Sequence, residues 1–337
     1  MKTRKLLAMG LILVMMLTLA VGCGQKAQES AKPAETSNGG TKEESKAESK
    51  EKVKIGWALS NFDDKWLSYM LNAAQEKAKE LPDAEVIFVD GKDDSAKQMS
   101  QIENFIAQGV DAICVIPVNT DATGPLTQAC KEAGIPLISV NRYLKNQEEA
   151  TAYVGSDSIQ SGILQMEYVG EKLGGKGNIV ILRGADGHEA AENRTKGNKQ
   201  VIAEKYPDIK VIAEQTAKWD RAEGMRITEN WIQSGMQFDA VVANNDEMAI
   251  GAIMALKEAG LMDKVLVAGI DATPDALEYL KEGTLACTVF QNAKGQGAGS
   301  IEAAYKIAKG EKIDKEIFIP YELVKPEQYE EYMAKWK

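Results

Sequence analysis

Histidine is nearly absent from this chain: His188 is the only one in 337 residues. A histidine metal cluster and a histidine-rich catalytic relay are thereby excluded. No Gly-x-Ser-x-Gly nucleophile turn, His-Glu-x-x-His helix or phosphate-cradling Walker loop occurs. Gly295-x-Gly297-x-Gly299 falls one place short of a dinucleotide loop, with Ser300 where the third glycine belongs. It also lies inside an alanine-rich helical pattern instead of between a strand and a helix. Catalysis by carboxylates alone is the enzymatic class that residue types leave open. Cysteine is scarce as well. Beyond Cys23, the chain has Cys114, Cys130 and Cys287, without Cys-x-x-Cys spacing. These make neither a metal site nor a disulfide framework and are expected as buried thiols. Basic excess is missing too: the net charge of −10 has the wrong sign for nucleic acid or an anionic membrane surface as partner.

The N-terminus stands apart from the rest. Lys2, Arg4 and Lys5 precede an apolar run over 6–21 that ends at Gly22-Cys23. A basic start, an apolar middle and small residues at the end predict an export signal over 1–22. Leu19-Ala20-Val21-Gly22-Cys23 resembles a bacterial lipobox with its leucine one place early, which makes Cys23 the expected lipidation site. Diacylation there supplies the multi-chain anchoring that stable membrane residence needs. Residues 23–52 then form a tether rich in Lys, Glu, Ser, Ala and Gly, too poor in apolar surface to fold. As a coil it spans roughly 30 Å.

From Val53 onward, strand and helix patterns alternate. Strands are expected over 53–60, 84–90, 153–155, 178–184, 209–216 and 285–290, with a last one near 317–324. Helices are expected over 65–80, 95–108, 158–173, 189–205, 219–234, 274–282 and 292–309. Alternation at these lengths predicts βαβ units and mainly parallel sheets. Two stretches, 109–142 and 238–271, repeat one order: a strand, a polar turn, a helix closing on Lys-Glu-Ala-Gly, and a second strand ending on polar residues. The first copy ends on Asn141-Arg142. The second offers Asn245 after its first strand and Asp271 after its last. Taken singly, a polar strand end is usually a cap or a turn. Two copies aiming such groups off strand tips suggest a ligand held between two α/β lobes, because open parallel sheets bind ligands beyond the carboxyl ends of their strands. Asp64 and Trp66 follow the first strand, and Trp219 follows the strand over 209–216. A lone tryptophan at a helix start is more often core. Two in matching turns of opposite lobes could sandwich a flat ring whose faces are apolar and whose rim is hydroxylated.

On these residues the chain resembles the periplasmic sugar-binding proteins of the ribose and glucose/galactose group, which share the type I fold of LacI-type repressors. The likeness runs from Val53 to about Val324. It is strongest at Ala243-Asn244-Asn245-Asp246-Glu247-Met248-Ala249, at Gly269-Ile270-Asp271-Ala272-Thr273-Pro274 and at Trp219-Asp220. The resemblance implies an α/β fold of two Rossmann-like lobes with parallel sheets, joined by three crossing strands near Ser156, Phe290-Gln291 and Glu322. The expected lobes are 53–156 plus 291–321, and 157–290 plus 322–337. It further implies ligand contacts from Asp64, Trp66, Asn141, Arg142, Arg194, Trp219, Asn245, Asp271 and Gln291. Gly187-His188 resembles the glucose/galactose type, in which this histidine touches the sugar, yet Ala190 replaces that type's aspartate. Gln291 is ribose-like. Other stretches, such as 165–168 and 289–297, look closest to a myo-inositol branch.

The function so implied is capture of a neutral monosaccharide or cyclitol for the permease and ATPase of an ABC importer. No enzyme activity, cofactor, metal or nucleic acid is expected, and the membrane is met only through the lipid anchor of a monomer. Pentose binding and a sensor role at a chemoreceptor are the alternatives. A repressor role is rejected, because an export signal and a tether stand where a DNA-binding headpiece would be.

Overall fold

The computed structural model describes residues 52–336. The expected signal, the lipobox with Cys23 and nearly all of the tether therefore lie outside the described residues. Twelve strands and ten helices follow, numbered in chain order.

The first sheet holds β1 (Val53–Leu59), β2 (Ala84–Asp90), β3 (Ala112–Val115), β4 (Leu137–Val140) and β5 (Ala152–Gly155), with β11 (Glu316–Phe318) at its edge. Their order is β11-β5-β4-β3-β1-β2, and every pairing is parallel. The second sheet holds β6 (Lys176–Arg183), β7 (Asp208–Thr216), β8 (Ala240–Ala243) and β9 (Leu266–Ala268) in the order β7-β6-β8-β9, again parallel. Central strands such as Ala-Ile-Cys-Val and Ala-Val-Val-Ala are buried throughout. That is why they read as continuous apolar runs instead of alternating ones.

Helices cover both sheets: α1 (Lys65–Lys79), α2 (Ser95–Ala107) and α3 (Gly124–Ala133) on the first, then α4 (Ser158–Lys172), α5 (Glu189–Lys205), α6 (Arg221–Gln233), α7 (Asp246–Glu258) and α8 (Pro274–Lys281) on the second. The chain returns to the first sheet with α9 (Ala293–Ala308) and ends on α10 (Tyr329–Lys335). Asp64, Asp157, Asp220, Asn245 and Asn292 each accept a backbone N–H as the cap of the helix that follows. A cap of this kind fixes where a polar side chain sits above a strand tip. The glycine run at 295–299 also finds its reason. A Cβ on Gly297 would lie 2.2 Å from the Met70 carbonyl oxygen, so α1 and α9 need that glycine to pack together.

The chain passes between the sheets three times, after β5, after β10 (Thr288–Phe290) and after β11. The expected single strand near 317–324 is two strands in different sheets. Pro320 lacks the N–H that a ladder needs, so β11 stops at Phe318 and the chain crosses over. It resumes as β12 (Glu322–Val324), antiparallel to β10. The expected strand over 285–290 is ordered only as β10, preceded by an isolated bridge between Ala268 and Cys287. The expected helix over 219–234 begins later, at Arg221. Lys218 and Trp219 hold φ of 55° and 68°, a left-handed turn that no helix can include. Cys114, Cys130 and Cys287 are buried free thiols. Burial pushes Cys130 up to about 12 and the other two higher still.

Candidate ligand-binding site

One cavity lies between the strand tips of the two sheets. Asp64, Trp66, Asn141 and Arg142 reach it from the first lobe, Arg194, Trp219, Asn245 and Asp271 from the second, and Gln291 from a crossing segment. The two tryptophans thus line one cavity instead of separate interiors. Leu67 and Ala190 complete the wall. Leu67 carried no polar signal in the sequence; its place beside Trp66 in the first turn of α1 was the available clue.

Each side chain is held by its local structure. Asp64 caps α1, its Oδ1 accepting from the Leu67 N–H at 2.8 Å. Trp66 is buried, and its indole N–H donates to the Gln291 carbonyl at 3.2 Å. Asn141 sits at φ 64°, and its Nδ2 donates to Gln296 Oε1 at 2.9 Å. Arg142 is anchored on the Pro117 carbonyl at 2.8 Å. Asn245 caps α7 through its oxygen, at 3.0 Å from the Met248 N–H, and its Nδ2 donates to the Trp219 carbonyl at 3.2 Å. It is therefore both a helix cap and part of the wall. Trp219 leans into space left by a missing side chain: a Cβ on Gly184 would lie 2.0 Å from the indole.

Arg194 spans the cavity. Its guanidinium donates to the Asn244 carbonyl at 2.5 Å, to Gln291 Oε1 at 2.6 Å and to the Tyr321 hydroxyl at 3.2 Å. It pairs with Asp271 at 3.5 Å and lies 5.5 Å from the Trp219 ring centroid. Its Nε is buried without a partner among the described residues. Tyr321 went unnoticed in the sequence, because it stands in the crossing segment after Pro320, outside any strand tip.

Burial raises the carboxyl of Asp64 against the opposing pull of the Leu67 N–H and Arg142. It raises Asp271 well above the usual range, with Arg194 opposing. Burial lowers Arg142, with Asp64 opposing. Arg194 is also penalised by burial, but Tyr321 and Asp271 more than offset this, so its net shift is upward.

The free space inside is small, about 30 Å³. A larger polar groove of about 660 Å³ opens outside it and shares Asp64, Arg142 and Trp219. The lobes touch at the rim, where Thr120 donates through both its N–H and its hydroxyl to the Gly187 carbonyl, each at 2.9 Å. Lys65 and Asp275 also meet there at 3.7 Å. His188 stands apart from the other candidates. It lines the outer groove and not the inner cavity, where its Nδ1 accepts from the Trp219 indole N–H at 2.8 Å.

A family model described as a periplasmic binding protein domain matches residues 55–312. The chain belongs to the periplasmic binding protein family. A crystal structure of an ABC transporter solute-binding protein from Bacillus halodurans C-125, with bound myo-inositol, is 54% identical to it. That match covers 85% of this chain and 98% of the other, with a TM-score of 0.82. A Rhizobium meliloti protein provisionally named as rhizopine-binding is 46% identical over 286 residues, which is 83% of this chain and 93% of that protein. The ribose import binding protein of Bacillus subtilis (strain 168) is 31% identical over 316 residues, 94% of this chain and 98% of that protein. These relatives bind solutes and are not enzymes. This periplasmic binding protein is likewise a sugar-type solute-binding component of ABC transport that works outside the cytoplasm. Catalysis by carboxylates is thereby set aside.

Proposed function

We propose that this periplasmic binding protein captures one uncharged cyclitol or hexose ring, myo-inositol before glucose or galactose, and delivers it to the permease and ATPase of an ABC importer. The observation that carries this reading is the composition of the cavity wall. Two carboxyl groups, Asp64 and Asp271, two guanidinium groups, Arg142 and Arg194, and two indoles, Trp66 and Trp219, line it together. Carboxyl and guanidinium groups together suit a ligand whose hydroxyls both donate and accept. The indoles suit the apolar faces of a ring. The Bacillus halodurans relative, with myo-inositol bound, supports the cyclitol.

In this reading the rigid bodies are 53–156 plus 291–321 and 157–290 plus 322–337. They rotate about the three crossings, and the ligand stabilises the closed arrangement by touching both. Cys23 carries the lipid that holds the protein at the outer face of the cell membrane. Pentose binding is the second reading, favoured by Gln291, the ribose-like amide of the lining, whose side-chain oxygen accepts from Arg194 at 2.6 Å. A thermal-shift panel of myo-inositol, glucose, galactose, ribose and xylose separates the two. Myo-inositol should give the largest rise in melting temperature, whereas a rise with ribose alone sinks the cyclitol reading.

A further inference from the structure

Behind the cavity, Asp271 and Ala272 hold φ of 128° and 53°. Two successive non-glycine residues with positive φ are costly and persist only where their surroundings over-determine them. Four hydrogen bonds do so here. The Asp271 N–H donates to the Val289 carbonyl at 2.8 Å and the Ala272 N–H to the Thr288 hydroxyl at 3.1 Å. Both of these partners lie on or beside β10. The third runs from the Gln291 N–H to the Asp271 carbonyl at 3.2 Å. The fourth comes from the far end of the chain, where the Trp336 indole N–H, just beyond α10, donates to the Ala272 carbonyl at 2.7 Å.

We propose that Trp336 is a positioning residue for ligand binding: its indole N–H pins the Ala272 carbonyl and so holds the left-handed Asp271–Ala272 pair that presents the Asp271 carboxyl to the cavity. The ring is itself fixed in place. Its centroid lies 4.6 Å from that of Tyr69 and 5.9 Å from that of Phe290. Tyr69 is on α1, the helix whose start carries Asp64 and Trp66, and Phe290 directly precedes Gln291. Trp336 packs against the apolar cores of both lobes. One indole thus buttresses segments that supply cavity residues from each lobe, although it does not line the cavity itself.

The inference rests on the reading of Asp271 as a ligand contact, so the test separates the two. Trp336→Phe keeps the aromatic packing and removes only the N–H donor. In the full chain, calorimetry with myo-inositol should show Trp336→Phe weakening affinity about three- to tenfold, the range of one lost hydrogen bond. With Asp271→Ala already present, Trp336→Phe should cost no further affinity, because its effect runs through that carboxyl. An unchanged affinity in Trp336→Phe, or losses that simply multiply in the double variant, overturns the proposal. Should myo-inositol fail to bind the wild type, or Asp271→Ala leave its affinity intact, the cavity reading fails on its own. The positioning role is then decided by a crystal structure of Trp336→Phe. Relaxation of Asp271 and Ala272 to negative φ supports it, and retention of both positive angles overturns it.

Discussion

The Trp219 indole N–H donates to Nδ1 of His188 at 2.8 Å, which fixes the imidazole as the tautomer protonated on Nε2. Burial first and Arg142 second push the imidazole down to about 3, with the Val118 backbone opposing. His188 is therefore folded in its neutral form, against the Trp219 indole.

A histidine depressed from its ordinary 6.5 contributes stability that is fully present above that value and lost as the pH falls toward 3. At its steepest this dependence is about 1.4 kcal/mol per pH unit. Urea unfolding of wild type and His188→Gln between pH 4.5 and 7.5 should show the wild type losing stability relative to the variant on acidification. Parallel curves would mean that His188 is not buried neutral.

Asp246 has the opposite sign. It accepts from the Thr288 hydroxyl at 2.7 Å and the Thr273 N–H at 2.9 Å. Burial nevertheless outweighs these bonds and raises it to about 7. Stability from this group is present below the ordinary 3.8 and lost as the pH rises through about 7. Asp246→Asn should remove that decline, measured as the difference from wild type in the same unfolding series. A wild-type curve alone mixes the two residues, so only the single variants resolve them.

Gly184 tests how closely Trp219 is seated. With a Cβ only 2.0 Å from the indole, Gly184→Ala must move the ring or strain the end of β6, at about 1–3 kcal/mol. Binding of myo-inositol should weaken about tenfold or more, followed by calorimetry. Unchanged affinity would mean that the indole plane is not used.

Gln296 joins the Asn141 side chain to the first crossing, accepting from Asn141 at 2.9 Å and donating to Ser156 at 2.9 Å. Gln296→Leu leaves the buried Asn141 amide without its acceptor, while the Ser156 hydroxyl keeps its bond to the Ile319 carbonyl at 2.6 Å, so a loss of about 1–3 kcal/mol in denaturant unfolding is expected. A loss below about 0.5 kcal/mol would show that other partners replace it.

Much of this was legible in the sequence because strand ends and helix caps coincide. Asp64 and Asn245 are caps by residue type and wall residues by position, and the repeat placed Asn141 and Asp271 at equivalent tips. What escaped was whatever depends on long-range placement. Tyr321 reaches Arg194 from a crossing segment, and Trp336 reaches Ala272 across 64 residues. The helix over Tyr329–Lys335 is too short and polar to carry a clear periodic signal. His188 carries a glucose/galactose-type glycine before it but lacks that type's aspartate, and it lines the outer groove instead of the inner cavity. Only tertiary geometry decides between those two places.

Whether one ring is held from both sides is most directly read by calorimetric titration of myo-inositol into wild type, Asp64→Ala and Asp271→Ala. The wild type should bind one equivalent. Each variant, from opposite lobes, should lose about 1.5–3 kcal/mol, the scale of a hydrogen bond to a charged group, or about tenfold to over a hundredfold in affinity. Absence of wild-type binding, or a loss confined to one of the two variants, would contradict a ligand gripped between the lobes.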